Sequence, residues 1–148
     1  MNKTLALIAA GLALSGGYAS AQTAPAAPAA PAPAYSSRVI TLAEAKTVAA
    51  AAEAEARKNG WTMVIVVLES NGAQVLAQKM DGTQYGSNEV AVKKAQTAAH
   101  FRRPTSVFQD AVKSGTLNAI FTGATAVEGG ELLLVDGGKG QLGVAVRV

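Results

Sequence analysis

Only one histidine, His100, occurs in this 148-residue sequence, which contains no cysteine. A single imidazole excludes metal sites built from several histidines, and the lack of thiols excludes disulfides and thiolate ligation of zinc or haem. The imidazole ring could still ligate one metal ion, hold a small ligand or contact another subunit. The alternative interpretation is a solvated histidine without a specific role.

Two adjacent cations, Arg102 and Arg103, precede Pro104 and Thr105. The simplest interpretation is that they stabilise the negative end of a helix dipole. The alternative is an anion clamp, because guanidinium groups bind carboxylates through two parallel hydrogen bonds. The sequence leaves both interpretations open.

Further polar and sulfur-containing side chains could belong to a binding or metal site. Met80 and Tyr85 could ligate a metal ion, although each could equally be an ordinary packing residue. Glu128 precedes Gly129 and Gly130, which indicates either a glycine turn or a site beside a flexible backbone. The aspartates are too far apart in the chain for the sequence to pair them as an acid–base couple. They are Asp81, Asp110 and Asp136.

Local signals predict the elements that must position these residues. Thr41 and Glu44 have the spacing of a capping box, which predicts a helix that Asn59-Gly60 would end. Residues 63–68 are apolar on both faces and rich in β-branched side chains, as is typical of a buried central strand. Asn71-Gly72 predicts a hairpin turn into a second strand over residues 73–80.

A second helix is predicted from Ser87, as its N-cap, to about Arg102, with Pro104 enforcing a break. Alanines occupy one face of this helix, and polar residues occupy the opposite face. The polar residues are Lys93, Gln96, Thr97 and His100. We therefore expect His100 to lie outside the core, on a surface groove if it binds a ligand.

A third helix over residues 106–113 and two strands over residues 131–135 and 141–148 complete the pattern. This order of elements predicts one α/β domain built on a hairpin-connected antiparallel sheet. The sequence contains no phosphate-binding glycine motif. With 13 basic and 10 acidic residues and no basic cluster among aromatics, it also gives no support for nucleic-acid binding.

The N-terminus has the pattern of an export signal. Lys3 is followed by an uncharged apolar run over residues 5–14, and Ala19-Ser20-Ala21 supplies small residues for cleavage. The run is shorter than the about 20 residues that span a bilayer, although an uncleaved anchor is the alternative. We predict a signal peptide over residues 1–21, an Ala/Pro-rich linker over 22–37 and a domain over 38–148, located in the periplasm or secreted. The linker is either a tether or a spacer.

The residues from position 40 to about 144 resemble the GlcG/HbpS-like family, which includes the C-terminal domain of PduO. The resemblance rests on ordered motifs rather than on single residues. They are Met80-Asp81-Gly82, Lys94-Ala95-x-Thr97-Ala98-Ala99-x-Phe101-Arg102-Arg103-Pro104-Thr105, Gly123-Ala124, Val127-Glu128-Gly129-Gly130 and Val135-Asp136-Gly137.

The resemblance implies a profilin-like, three-layer α/β/α fold with a five-stranded antiparallel sheet that assembles into oligomers. Several family members bind haem, and the secreted HbpS branch is associated with haem and iron handling and with a membrane sensor kinase as partner. Relatives continue into a C-terminal helix, for which this sequence has no residues after Val148. We therefore expect an uncovered sheet face and either an obligate homo-oligomer or a poorly stable protein.

The leading prediction is an exported haem-binding protein, active in haem or iron handling or in redox sensing, and the sequence leaves open whether it is an enzyme. Its cofactor-binding candidates combine the lone histidine with the matched motif positions, and His100 is the candidate iron ligand. They are His100, Arg102, Arg103, Thr105, Met80, Asp81, Glu128, Gly129 and Gly130. The alternatives are an enzyme acting on a small carboxylic acid and a non-catalytic oligomeric module that binds a partner.

Overall fold

The computed structural model describes residues 31–117 and 124–147. The predicted signal peptide, most of the predicted linker and Gly123 of the family motif lie outside these residues. Within them, no helix is both long enough and apolar enough to cross a membrane.

The first helix, α1 (Leu42–Lys58), begins as the capping box predicts. The Thr41 hydroxyl accepts a hydrogen bond from the Glu44 backbone N–H at 3.2 Å, and the Glu44 carboxylate accepts one from the Thr41 N–H at 2.9 Å. Two N–H groups that have no partner inside the helix are thereby satisfied. Asn59 is the C-cap residue, and Gly60 follows with a positive φ of 69°.

The remaining elements follow the predicted order, apart from a short N-terminal strand that the sequence pattern does not predict. An N-terminal strand β1 (Ala34–Tyr35) precedes α1, and the hairpin β2 (Val64–Glu69) and β3 (Gln74–Lys79) follows it. Helices α2 (Gly86–Phe101) and α3 (Thr105–Lys113) come next, and strands β4 (Gly130–Val135) and β5 (Gly140–Arg147) complete the described chain. The predicted cap at Ser87 is wrong. The helix begins at Gly86 with Tyr85 as its N-cap, and Ser87 is buried.

The sheet is mixed, so the predicted purely antiparallel sheet is wrong. Strands β4, β5, β2 and β3 are neighbours in that order and pair antiparallel, whereas β1 pairs parallel with β5. The Ala34 N–H donates to Lys139 O at 3.0 Å, and the Ser36 N–H donates to Gln141 O at 2.9 Å. The last residues of the predicted linker therefore extend the sheet.

The helices cover opposite faces of the sheet. The alanines of α1 pack on Ile65 and Val67, and the alanines of α2 pack on the alternate β2 residues Val64, Val66 and Leu68. This alternation follows from the two-residue repeat of a strand, and small alanine side chains allow close approach of a helix to the sheet. The result is the expected three-layer arrangement, in which His100 lies exposed near the C-terminal end of α2.

Candidate functional site

The outward face of α2 carries most of the polar residues that the helical repeat predicts there. Lys93, Gln96 and His100 are exposed, but Thr97 is buried, which corrects the prediction that it faces solvent. The Thr97 hydroxyl donates to Lys93 O at 2.8 Å and accepts from the Thr125 backbone N–H at 2.8 Å. Thr97 is buried because the chain around Thr125 packs across this part of the helix.

A pocket of about 370 Å³ lies between α2 and this part of the chain, and we call it the α2 pocket. Its described lining consists of Lys93, Gln96, Thr97, His100, Ala124 and Thr125. Its size is within the range of small-molecule sites. Of these six residues, only His100 was predicted as a site residue. The helical spacing of positions 93, 96, 97 and 100 was the signal that could have identified the others on α2.

The His100 ring is held against the hairpin turn between β2 and β3. A Cβ atom added to Gly72 would lie 2.8 Å from His100 Nε2, and Gly72 itself has a φ of +92°. The backbone conformation therefore favours glycine at this position, and a larger residue would require the His100 ring to move.

The C-terminal end of α2 is fixed by the N-terminal strand and by β5. The Tyr35 hydroxyl lies 3.3 Å from Ala99 O and 3.4 Å from His100 O, and donates to these carbonyls. The Gln141 side-chain amide, which is fully buried, donates to Ala99 O at 3.4 Å. These donors satisfy carbonyls that a helix end leaves without a partner in the helix. They also fix the last turn of the helix, which carries His100.

The two arginines do not line the α2 pocket. Arg102 ends α2 in the left-handed conformation, its Nη1 donates to Pro33 O at 3.2 Å, and its guanidinium lies 5.1 Å from the centre of the Tyr35 ring. Arg103 is partly buried and is not among the described lining residues. Arg102 therefore holds the N-terminal strand against the helix.

Two matched motif positions, Thr105 and Gly130, meet in the structure. The buried Thr105 hydroxyl accepts from the Gly130 N–H at 2.8 Å. A Cβ on Gly130 would lie 2.8 Å from Lys94 O, so only glycine fits without displacement. Nearby, the Glu128 backbone N–H donates to the Gln109 side chain at 3.1 Å, and Gly129 has a φ of +112°. This part of the motif joins α3 to β4.

Met80 and Asp81 lie on the other side of the sheet from His100. Met80 packs with the α1 alanines and Ile65, and both residues line a groove of about 330 Å³ beside Trp61. The structure thus does not bring Met80 and His100 together as ligands of one metal ion. Among residues 31–117 and 124–147, no group of three or more metal-binding side chains is present.

The α2 pocket has one cationic side chain in its described lining, Lys93, which is paired with a carboxylate outside that lining. Lys93 forms an ion pair with Glu89 one turn earlier, with Nζ 2.6 Å from Oε1. The hydrogen bond and the positive charge of Lys93 lower the pKa of the Glu89 carboxyl. No acidic side chain is among the described residues that line the pocket. Its ionisable side chains are therefore one ammonium and one imidazole.

The chain is similar to known proteins in both sequence and structure. The profile of a family described as "Haem degrading protein HbpS-like" matches residues 40–146. Protein GlcG of Escherichia coli K12 is 34% identical over 95 residues, which are 63% of this chain and 70% of GlcG. The crystal structure of a double mutant of Streptomyces reticuli HbpS matches with a TM-score of 0.66 and 25% identity, covering 85% of this chain and 84% of that one.

A further crystal structure, described as a PduOC–haem complex, matches with a TM-score of 0.65. Its sequence is 20% identical, and the match covers 74% of this chain and 82% of that chain. At this level of identity the similarity shows a shared fold.

Proposed function

This chain belongs to the HbpS-like family, and on that basis we propose that it is an exported haem-binding protein. The observation that carries the proposal is the position of His100, the only imidazole of the chain, in the α2 pocket beside the cationic Lys93. The description of the family as haem-degrading and the solved haem complex of PduOC support the choice of ligand.

The residues of the α2 pocket fit haem in part. His100 would supply a nitrogen ligand to the iron, and a cation would hold a propionate. When bound, haem would supply a redox-active iron. Ala124 is the only apolar residue of the described lining, so these residues do not enclose the faces of a tetrapyrrole. We therefore propose exchangeable binding, as haem handling requires, instead of a permanently held prosthetic group.

The remaining candidates take different roles in this proposal. Thr105 and Gly130 have a structural role, because the hydrogen bond between them joins α3 to β4. Arg102 fixes the helix end. Met80 and Asp81 are not part of the proposed site, because Met80 packs on the α1 side of the sheet.

Haemin titration of the purified protein tests the proposal. We expect a saturable Soret band in the wild type that shifts or weakens in His100→Ala. Met80→Leu serves as the matched control. It removes the candidate sulfur ligand, which lies on the α1 side of the sheet, and should leave the band unchanged. A wild type without a saturable band would contradict haem binding. A band that changes only in Met80→Leu would transfer the iron ligand to Met80.

We propose a periplasmic or secreted location, which the signal-peptide pattern of residues 1–21 supports. We propose cleavage after Ala21. Mass spectrometry of the protein recovered outside the cytoplasm should give a chain that begins at Gln22, and replacement of Ala19 and Ala21 by bulky charged residues should leave the precursor uncut. A mature chain that still begins at residue 1 would contradict the cleavage.

We also propose a homo-oligomer. Leu133 and Val135 of β4 are only partly buried beside the α1 layer, and the neighbouring Leu134 is 47% exposed. Apolar surface of this kind commonly marks an interface between subunits. Light scattering at micromolar concentration should give a mass of at least two chains. A monomer with a cooperative thermal transition would contradict the proposal.

A further inference from the structure

We propose that Lys93 is the anion-binding residue of the α2 pocket and that it takes a carboxylate of the ligand. The carboxylate is either a haem propionate or that of a free small carboxylic acid, and the inference rests on the proposed function only for the first of these. It replaces the expectation that Arg102 and Arg103 form the anion clamp.

The helix geometry places Lys93 well for this role. Lys93 and His100 are seven residues apart on α2, which corresponds to about 10 Å along the helix axis and to the same face. Both line the α2 pocket, with Gln96 between them. One ligand can therefore contact the imidazole at one end of the pocket and the ammonium at the other.

The hydrogen-bonding groups of the pocket also favour an anion. The Thr97 hydroxyl already donates to Lys93 O and is not available as a donor. Within residues 31–117 and 124–147, neither the Gln96 amide nor the His100 ring forms a side-chain hydrogen bond. These two groups and the Lys93 ammonium can donate to a ligand, and the carboxylate that a ligand anion must displace at Lys93 is that of Glu89.

The ion pair between Lys93 and Glu89 can open to admit a ligand. The Lys93 side chain is 58% exposed and the Glu89 side chain is 73% exposed, and ion pairs this exposed contribute little stability. A ligand carboxylate can therefore replace Glu89 at Lys93 at small cost. Arg102 has no comparable freedom to serve the pocket, because it contacts Pro33 and Tyr35, and Arg103 is not among the described lining residues.

The test measures Kd for haemin and for haemin dimethyl ester, which has no free carboxylate, in the wild type and three variants. Lys93→Gln should weaken haemin binding about fivefold and leave binding of the dimethyl ester unchanged. Glu89→Gln should tighten haemin binding about twofold, because it removes the competing charge. Arg103→Gln is the matched control and should bind haemin as the wild type does. Circular dichroism melts confirm that each variant is folded.

A second titration with acetate and succinate distinguishes the two sources of carboxylate. If haemin binds the wild type and Lys93→Gln equally, the role of Lys93 is wrong while haem binding stands. If the wild type binds no haemin but binds succinate in a Lys93-dependent way, the anion site stands and the proposed haem function fails. If the wild type binds neither haemin nor the small carboxylates, the inference is overturned.

Discussion

The Nε2 edge of His100 and the α-carbon of Gly72 are in such close contact that a Cβ on Gly72 would lie 2.8 Å from the ring nitrogen. The two residues belong to different elements, the last turn of α2 and the turn between β2 and β3. The hairpin turn therefore borders the only imidazole of the chain and limits its movement toward Gly72.

Gly72→Ala should displace the His100 ring and strain the turn. Gly60→Ala is the matched control, because Gly60 also has a positive φ but has no atom within 4 Å of an added Cβ. Both variants incur the strain of a left-handed alanine, about 1 kcal/mol, and the contact with His100 should add about 1 kcal/mol more in Gly72→Ala. Denaturant unfolding measures the difference. The Soret band of bound haemin should change in Gly72→Ala only, and equal effects of the two variants would contradict the constraint on the ring.

Thr97→Val should loosen the wall of the α2 pocket. The variant keeps the shape of the side chain but leaves the Thr125 N–H without its acceptor. We expect a loss of about 1 to 3 kcal/mol in the free energy of unfolding, together with weaker ligand binding. Thr97→Ser keeps the hydroxyl and should retain ligand affinity. If Thr97→Val binds the ligand as the wild type does, Thr97 does not position this wall.

Tyr35→Phe tests whether the N-terminal strand fixes the end of α2. Loss of the hydroxyl removes the donor to Ala99 O and His100 O and should cost about 1 kcal/mol of stability. Hydrogen exchange should become faster in the last turn of α2. Tyr85→Phe is the control, because Tyr85 is 89% exposed and makes no side-chain cap bond. Unchanged exchange in Tyr35→Phe would contradict a role for the Tyr35 hydroxyl in fixing the helix end.

The capping box of α1 should make stability depend on acid pH. Glu44 accepts a hydrogen bond from the Thr41 backbone and another from the Arg38 side chain. These two hydrogen bonds lower the pKa of the Glu44 carboxyl from its ordinary 4.5 to about 2. Because the pKa is lower in the folded state, the stabilisation is complete above pH 4.5 and is lost as the pH falls toward 2.

Thermal unfolding of the wild type and Glu44→Gln across this pH range measures the effect. The wild type should be more stable than Glu44→Gln at neutral pH, and the difference should shrink as the pH falls from 4.5 to 2. Arg38→Gln should narrow this pH window, because it removes the second-largest cause of the shift. A difference that stays constant with pH would contradict a role for the Glu44 charge.

The predicted fold is confirmed where local signals were strong. The capping box begins α1, the Asn71-Gly72 turn connects β2 to β3, and His100 lies outside the core on the polar face of α2. The sequence predicted the candidate site less completely. It identified His100 and a surface groove, but it gave Lys93 no role and grouped His100 with Met80, which packs on the opposite side of the sheet.

The residues alone determined the order of the elements, the polar face of α2 and the presence of a single imidazole, because these depend on helical and strand periodicity and on composition. Only the tertiary structure decided that β1 pairs parallel with β5, that Thr97 is buried under Thr125 and that His100 packs on Gly72. Each of these contacts joins residues that are distant in the chain, and the pairing of distant segments is set by packing of the whole domain, which local patterns do not encode.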